Sequence, residues 1–90
     1  DPGQRRVWLG EREVYLTALE FDLFAILSSR PGFDFSRSQL LERVWGEDYF
    51  GDDHVVDVHV ANLRKKLEED SANPRYVQTV RGVGYRFVRR

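Results

Sequence analysis

Arg81 and Arg86 lie at and beside a glycine-containing turn within the stretch Tyr76–Phe87. The valines and aromatic residues around the turn are strand formers, and Gly82 and Gly84 can adopt the positive φ that a tight hairpin requires. The stretch therefore predicts a β-hairpin that carries both arginines. Guanidinium groups donate paired hydrogen bonds to phosphate, so such a hairpin beside a basic helix favours contact with nucleic acid. Without that helix it would be an ordinary surface hairpin.

A long basic helix is predicted directly before the hairpin, from about His54 to Glu69. At about 100° per residue, one face is an apolar stripe that predicts the core contact: Val56, Val60, Leu63 and Leu67. The opposite face carries His54, Val58, Ala61, Asn62 and Lys65, flanked by Asp57 with Arg64 and by His59 with Lys66. Asn62 can bond an adenine edge in a major groove, and Val58 can contact a thymine methyl group. Exposed valines are also common on ordinary surfaces, so helix composition alone leaves both interpretations open.

Capping boxes mark the starts of two earlier helices. Thr17 with Glu20 predicts a first helix from about Ala18 to Ser29, which the pair Pro31-Gly32 ends. Ser36 with Gln39 predicts a short second helix. The apolar sides of these helices are Phe21, Leu23, Phe24, Ala25 and Leu27 in the first and Leu40, Leu41, Val44 and Trp45 in the second.

The remaining segments predict strands, loops and a linker. Arg6–Leu9 and Glu13–Leu16 predict two short strands joined by a turn, after a linker at Asp1–Gln4. Gly46–Asp53 predicts an acidic, aromatic loop. Ser71–Arg75 predicts the end of the long helix and the approach to the hairpin.

Size and composition restrict the class of protein. The chain has 90 residues, 41% of them hydrophobic, which predicts one domain over residues 1–90. The absence of cysteine excludes disulfides, thiolate nucleophiles and cysteine-based zinc sites, and is typical of a reducing compartment. No apolar run approaches the ~20 residues that span a bilayer, and no signal-peptide pattern opens the chain. A soluble, cytoplasmic protein without a membrane partner is expected.

Charge is distributed unevenly along the chain, although the formal net charge is only −1. Residues 1–53 contain six Lys and Arg against eleven Asp and Glu, whereas residues 54–90 contain eight against four. The basic half therefore holds the long helix and the hairpin. A local basic face can attract phosphates while the acidic remainder faces solvent or another protein.

Four blocks resemble, in order and spacing, the C-terminal DNA-binding domain of OmpR/PhoB-type response regulators. They are Leu16–Phe24, Ser36–Leu41 with Val44–Gly46, Val56–Val60 with Leu63–Leu67, and Thr79–Arg86. The resemblance implies an α+β winged helix-turn-helix fold, with three helices, a short N-terminal antiparallel sheet and a C-terminal hairpin, the wing. It also implies sequence-specific DNA binding for transcriptional regulation in a two-component phosphorelay, without enzymatic activity or a cofactor.

The resemblance also implies roles for individual residues. The third helix would lie in the major groove, and Arg81 of the wing would reach the minor groove. Positions that approach the phosphate backbone correspond to Arg37, Trp45, Thr79 and Tyr85, and those in or near the groove to Val58, His59, Asn62 and Arg64. The helical pattern places His54, Ala61 and Lys65 on the same outward face, so they are also expected to contact DNA. The segment that contacts RNA polymerase corresponds to Glu47, Asp48, Tyr49, Phe50, Asp52 and Asp53.

Assembly is implied in the same way. A receiver domain addressed by a sensor histidine kinase would precede Asp1, and two copies would occupy direct-repeat half-sites while the isolated domain is a monomer. Several relatives carry paired basic residues where this chain has Ala61-Asn62, and a hydroxyl residue at the place of Val55, so their base preference does not transfer. The family usually begins with a four-stranded sheet, whereas two strands fit before Thr17. Either the sequence starts inside that sheet or this protein has lost part of it, and the strand at Arg6–Leu9 is expected to have an open edge.

Other classes of function make different demands on these residues. A metal enzyme would need ligands from His54, His59, Asp52, Asp53 and Asp57, but the histidines stand five apart and point to different sides of a helix. Gly82-Val83-Gly84 links strand to strand and opens no helix, unlike a nucleotide-binding loop. A winged helix that binds only proteins is the alternative of most interest, with Trp8, Tyr49 and Phe50 as its contacts. It predicts acids or a broad apolar patch on the outward face of the third helix, and the sequence has neither.

Overall fold

The computed structural model describes residues 4–68 and 73–88. The chain begins with two strands and a helix, and the second half places a long helix before a hairpin. The elements are β1 (Gln4–Leu9), β2 (Arg12–Thr17), α1 (Ala18–Ser29), β3 (Asp34–Ser36), α2 (Arg37–Leu40) with a π-helical segment (Leu41–Trp45), α3 (His54–Leu67), β4 (Val77–Val80) and β5 (Gly84–Phe87). This order confirms the predicted α+β winged helix-turn-helix architecture.

Two antiparallel sheets frame the helices. β1 pairs with β2 from Gln4 opposite Thr17 to Leu9 opposite Arg12. The strands are longer than predicted, and Gln4 belongs to β1 rather than to a linker; Asp1–Gly3 lie outside the described residues. The second sheet has the order β3-β5-β4, so the predicted hairpin is confirmed and gains a third strand that the sequence did not reveal.

The two glycines of the hairpin have different roles. Gly82 has a φ of 77° and forms the turn, as expected. Gly84 has no positive φ, so the expectation for it was wrong. It lies in β5 opposite Ser36, where an added Cβ would come within 2.1 Å of the Phe35 carbonyl oxygen. Gly84 is needed because β3 approaches closely.

Both predicted capping boxes are present. At the start of α1, Glu20 N donates to Thr17 Oγ1 at 3.2 Å and Thr17 N donates to Glu20 Oε1 at 2.9 Å. Ser36 and Gln39 exchange the equivalent pair at 2.9 and 3.0 Å. These bonds satisfy backbone groups that have no partner inside a helix, and they fix where α1 and α2 begin.

The second helix departs from the predicted α-helix after one turn. Gly46 N donates to Leu41 O at 3.2 Å, a five-residue separation, as well as to Glu42 O at 3.0 Å. Gly46 then leaves the helix with a φ of 101°. The wider turn leaves Trp45 half-buried at the surface beside α3, whereas Leu40 is fully buried.

The core lies between α1, α3 and the two sheets. The predicted stripe of α3 is confirmed, since all four of its residues are fully buried. On α1, Leu23 and Leu27 are fully buried, but Ala25 is exposed, contrary to the prediction. Side chains two positions apart are separated by about 200° around a helix. Ala25 lies two positions from each leucine, so it points away from both of them.

α3 ends earlier than predicted, at Leu67, because Glu68 adopts an extended conformation. The Glu68 carboxylate is buried and accepts the backbone N–H groups of Arg75, Tyr76 and Val77 at 2.7 to 3.2 Å. It thereby fixes the chain at the entrance to β4. Residues 69–72, which include part of the predicted helix end, lie outside the described residues.

Two contacts attach α3 to the N-terminal half. Arg12 of β2 donates to Leu67 O, where a cation is favoured by the partial negative charge of the helix C-terminus. Lys66 donates to the buried Glu20 carboxylate of α1 at 2.6 Å. Among the described residues, no helix is both long and apolar enough to cross a membrane.

Candidate nucleic-acid interface

The outward face of α3 is exposed and contains no exposed acid. Val58 retains 56% of its surface, and Asn62 is partly buried at the edge of the face. The exposed residues of α3 are His54, Val58, Ala61, Lys65 and Lys66. The middle of this face therefore carries short side chains, and the face as a whole is partly apolar and positively charged, as the sequence predicted.

The wing lies beside this face, and one arginine connects the two. Arg64 of α3 donates from Nε to Val77 O at 2.9 Å and from Nη2 to Thr79 Oγ1 at 2.7 Å, both on β4. Burial lowers the pKa of the Arg64 guanidinium below its ordinary value. Arg64 thus holds the wing against α3, and the hydroxyl proton of Thr79 stays available for another acceptor.

The tip of the wing is formed by exposed residues. Arg81 and Gly82 occupy the turn with Val83, which keeps 42% of its surface. Val83 N donates to Val80 O at 3.0 Å and closes the turn. The Arg81 guanidinium is therefore carried at the end of a short, bonded hairpin.

A cluster around Asp57 joins α2, α3 and the wing. Arg37 Nε donates to Asp57 Oδ1 at 2.7 Å, and the Tyr85 hydroxyl donates to the same oxygen. Two guanidinium groups also lie near the Tyr85 ring. That of Arg37 is 5.8 Å from the ring centroid, and that of Arg64 is 5.3 Å from it. The sequence placed Asp57 only on a flank of α3; an acid beside the otherwise basic face was the signal for this cluster.

Two pKa shifts describe the cluster. Burial, together with the hydrogen bond to Asp57, raises the pKa of Tyr85 to about 12, so the phenol keeps its proton. Burial alone would raise the pKa of Asp57, but the hydrogen bonds from Tyr85 and Arg37 outweigh it and hold that pKa below its ordinary value. Asp57 is therefore a carboxylate that accepts from both neighbours.

The middle of α3 contacts the π-helical segment. The rings of Trp45 and His59 meet edge to face with centroids 5.3 Å apart. His59 Nδ1 lies 2.9 Å from Val55 O, a bond that uses one ring nitrogen and leaves Nε2 for another partner. Trp45 and His59 are both partly buried, so each keeps some surface exposed to solvent.

Only some of the residues of the metal alternative come together, and they do so at the exposed surface. Asp52, Asp53 and His54 have ligand atoms within 4.8 Å of one another, but all three residues are exposed. His54 uses Nδ1 for Asp52 Oδ1 at 3.0 Å, while His59 is bonded to Val55 O. Asp57 is engaged with Arg37. Exposed acidic groups are common without an ion, and this cluster supplies no open, shielded coordination position.

The acidic loop lies beside an open pocket. Phe50 is 95% exposed, and Glu47, Asp48, Asp52 and Asp53 are exposed with it. Tyr49 is partly buried against Trp45, with ring centroids 6.3 Å apart. The pocket, of about 390 Å³, is lined by Ser38, Leu41, Glu42, Gly46, Glu47 and Tyr49.

Comparison with known proteins assigns the chain to a family. The model of the family described as "Transcriptional regulatory protein, C terminal" matches residues 11–87. The chain belongs to this family. Its members are transcription-regulator domains and not enzymes, and the resemblance to OmpR/PhoB-type response regulators is confirmed.

Three members show the extent of the similarity. The alkaline phosphatase synthesis transcriptional regulatory protein SphR of Synechococcus elongatus is 46% identical over 86 residues, which cover 96% of this chain and 34% of SphR. The RstA DNA-binding domain of Klebsiella pneumoniae, solved in complex with the RstA box, superposes with a TM-score of 0.82 at 38% identity, covering 93% of this chain and 83% of that one. DrrB, an OmpR/PhoB homologue of Thermotoga maritima, gives 0.84 at 34% identity, covering 92% and 37%. The chain spans about a third of the length of the curated relatives it matches.

Proposed function

We propose that this transcription-regulator domain binds double-stranded DNA sequence-specifically, with α3 in the major groove and the wing in the minor groove. The observation that carries the proposal is the joined surface of α3 and wing, in which the exposed residues of α3 include no acid. An α-helix fits the major groove of B-DNA, and an arginine at a hairpin tip suits the narrow minor groove. RstA, solved with its DNA box, supports the proposal because the two domains superpose closely.

The proposed contacts fall into three groups. Val58, His59, Ala61 and Asn62 would face base edges, and Arg81 would enter the minor groove. Small and apolar side chains read thymine methyl groups, and an amide reads adenine. The phosphate contacts would come from Arg37, Trp45, His54, Arg64, Lys65, Thr79 and Tyr85.

The loop after the second helix would contact RNA polymerase. Its exposed Phe50 and its acids form a surface that DNA phosphates would repel, so it suits a protein partner. The adjacent pocket lined by Leu41 and Tyr49 supports a docking role. The exposed Phe50 would then serve a second contact of the same DNA-binding regulator, and a function in protein binding alone is not needed to explain it.

The regulatory setting is proposed from the family. In the whole protein a receiver domain, phosphorylated by a sensor histidine kinase, would control the occupancy of direct-repeat half-sites by two copies. Regulation of transcription is consistent with the cytoplasmic location that we propose. Each copy would use the interface described above.

The salt dependence of DNA affinity tests the proposal. A site selected from random duplexes should bind with an affinity that falls on a log–log plot against salt by about 0.9 per neutralised phosphate. Lys65→Ala should make the slope shallower by about that amount. Arg6→Ala removes the same charge from β1, where Arg6 faces Glu13, and should leave the slope unchanged. A slope near zero for the wild-type domain would exclude DNA as its ligand.

A further inference from the structure

We infer that Tyr85 serves DNA binding as a positioning residue: its hydroxyl fixes Asp57, and Asp57 in turn aims Arg37 at the phosphate backbone. This inference rests on the proposed DNA-binding function. It changes the role of Tyr85 from a direct phosphate contact to a support of another one. Three features of the cluster carry it.

The first feature is the single proton of the phenol. A tyrosine hydroxyl has one hydrogen to donate, and Tyr85 donates it to Asp57 Oδ1. Phosphodiester oxygens are acceptors only, so a direct contact would require Tyr85 to give up this bond to a carboxylate. Carboxylate and phosphodiester oxygens are both anionic acceptors, so exchanging one for the other would gain Tyr85 no stronger bond and would leave Asp57 without this donor.

The second feature is the divided use of Arg37. Its Nε is bonded to Asp57 at 2.7 Å, which orients the guanidinium, and the Nη side of the group can donate to an outside acceptor. The Arg37 side chain keeps 35% of its surface, so it can still be reached from solvent. It is therefore the member of the cluster suited to phosphate.

The third feature is the position of Asp57 itself. A carboxylate on the first turns of α3, beside a face that approaches DNA, repels phosphates unless it serves another purpose. Asp57 connects residues 20 and 28 positions away in the chain, from α2 and from β5. The charge of Asp57 is partly neutralised by Arg37. The hydrogen bonds of Asp57 join α3 to α2 and to β5.

A double-mutant cycle on DNA affinity tests the inference with the whole domain. Tyr85→Phe keeps the ring that packs between Arg37 and Arg64 and removes only the hydroxyl. It should weaken binding of the selected site by about three- to tenfold, a part of what a charge-assisted hydrogen bond contributes. In an Arg37→Ala background the same change should have almost no effect, because the residue that Tyr85 positions is gone.

An equal loss from Tyr85→Phe with and without Arg37 would overturn the inference and show a direct phosphate contact. Arg37 is partly exposed, so its truncation leaves the core intact, and urea unfolding of each variant checks this. Tyr15→Phe is the matched control, since Tyr15 is an exposed tyrosine on β2, and its affinity should equal that of the wild type.

Two substitutions of Asp57 separate positioning from repulsion. Asp57→Asn keeps an acceptor oxygen, and Asp57→Ala removes it, while both remove the charge. If Asp57 positions Arg37, the Asp57→Ala variant should bind DNA more weakly than the Asp57→Asn variant by at least about threefold. Equal and tighter binding by both variants would show that Asp57 only repels phosphate, and would also overturn the inference. If the wild-type domain itself fails to bind DNA, the proposed function fails first and the cycle is not reached.

Discussion

His54 is the first residue of α3, and its protonation should influence DNA binding. The hydrogen bond to Asp52 raises the pKa of His54 above its ordinary value, with further help from Asp57 and Asp53. The imidazolium therefore persists to higher pH than in a free histidine and is lost as pH rises through the raised pKa. A cation at this place favours phosphate, so affinity for the selected DNA should fall as pH increases from about 6 to about 9.

The measurement compares binding isotherms across this range for the wild type and for His54→Gln, which keeps a polar side chain without the charge. The wild-type affinity should depend more steeply on pH. Parallel profiles for the two proteins would mean that His54 is too far from the phosphates to matter. His54 is fully exposed, so the change should not alter the fold.

Residue positions were predictable from the sequence where helical periodicity determines them. The buried stripe of α3 and the exposure of Val58 follow from the spacing of apolar side chains. The partners of Arg64 and Tyr85 were not predictable, since each bond reaches another element. Arg64 was expected near the groove and is in addition bonded to Thr79, 15 positions away.

At the scale of elements, the contact between β3 and β5 should depend on Gly84. A side chain at this position would collide with the Phe35 carbonyl at 2.1 Å, and a backbone atom cannot move aside as a flexible side chain can. Gly84→Ala should therefore lower the free energy of unfolding by about 1–3 kcal/mol, as overpacking does. Urea denaturation measures the change.

Gly82→Asn provides the control at the neighbouring turn. Gly82 has a φ of 77° and open space around it, and asparagine is one of the residues that tolerate this conformation. Its cost should stay below about 1 kcal/mol. If the two substitutions are equally destabilising, the close approach of β3 is not what requires Gly84.

Elements were predictable where their signals are local. The capping boxes join groups three residues apart, so Thr17 with Glu20 and Ser36 with Gln39 gave both helix starts correctly. β3 was missed because it has three residues and one buried side chain, Phe35, too few for an alternating pattern. The widened turn before Gly46 was missed because an apolar helix face looks the same in α and π geometry over one turn.

At the scale of the whole molecule, the domain should be a monomer that assembles on DNA. Its core uses the apolar stripes of α1 and α3, which leaves isolated aromatic residues outside. Trp8 and Tyr15, 57% and 54% exposed, lie on the outer face of the β1–β2 sheet. In the described residues β1 pairs only with β2, so its second edge is open and can attract another chain at high concentration.

Sedimentation over a concentration series should show a monomer, with weak association that Trp8→Lys reduces. On DNA, two copies should bind direct repeats about 10–10.5 bp apart, and a shift of about half a helical turn should abolish double occupancy. A stable dimer without DNA would contradict the monomer, and occupancy independent of spacing would contradict assembly on one side of the duplex.

The whole-molecule contacts of α3 were outside the reach of sequence reasoning. Arg12 and Leu67 are 55 positions apart, and Lys66 and Glu20 are 46 apart. Nothing in their local patterns distinguishes them from solvated charges, because only the closed fold brings them together. The family resemblance predicted the arrangement of elements without these bonds.

The buried Glu68 attaches the chain at the entrance to β4 to the end of α3, and hydrogen exchange can observe this attachment. Its carboxylate accepts three successive amide protons, those of Arg75, Tyr76 and Val77. These amide hydrogens exchange with deuterated water only after their hydrogen bonds to the Glu68 carboxylate break. A single movement of the chain away from the carboxylate breaks all of these bonds together. Once the intrinsic exchange rate of each amide is divided out, the three amides should report one opening free energy, that of releasing the start of β4 from the end of α3.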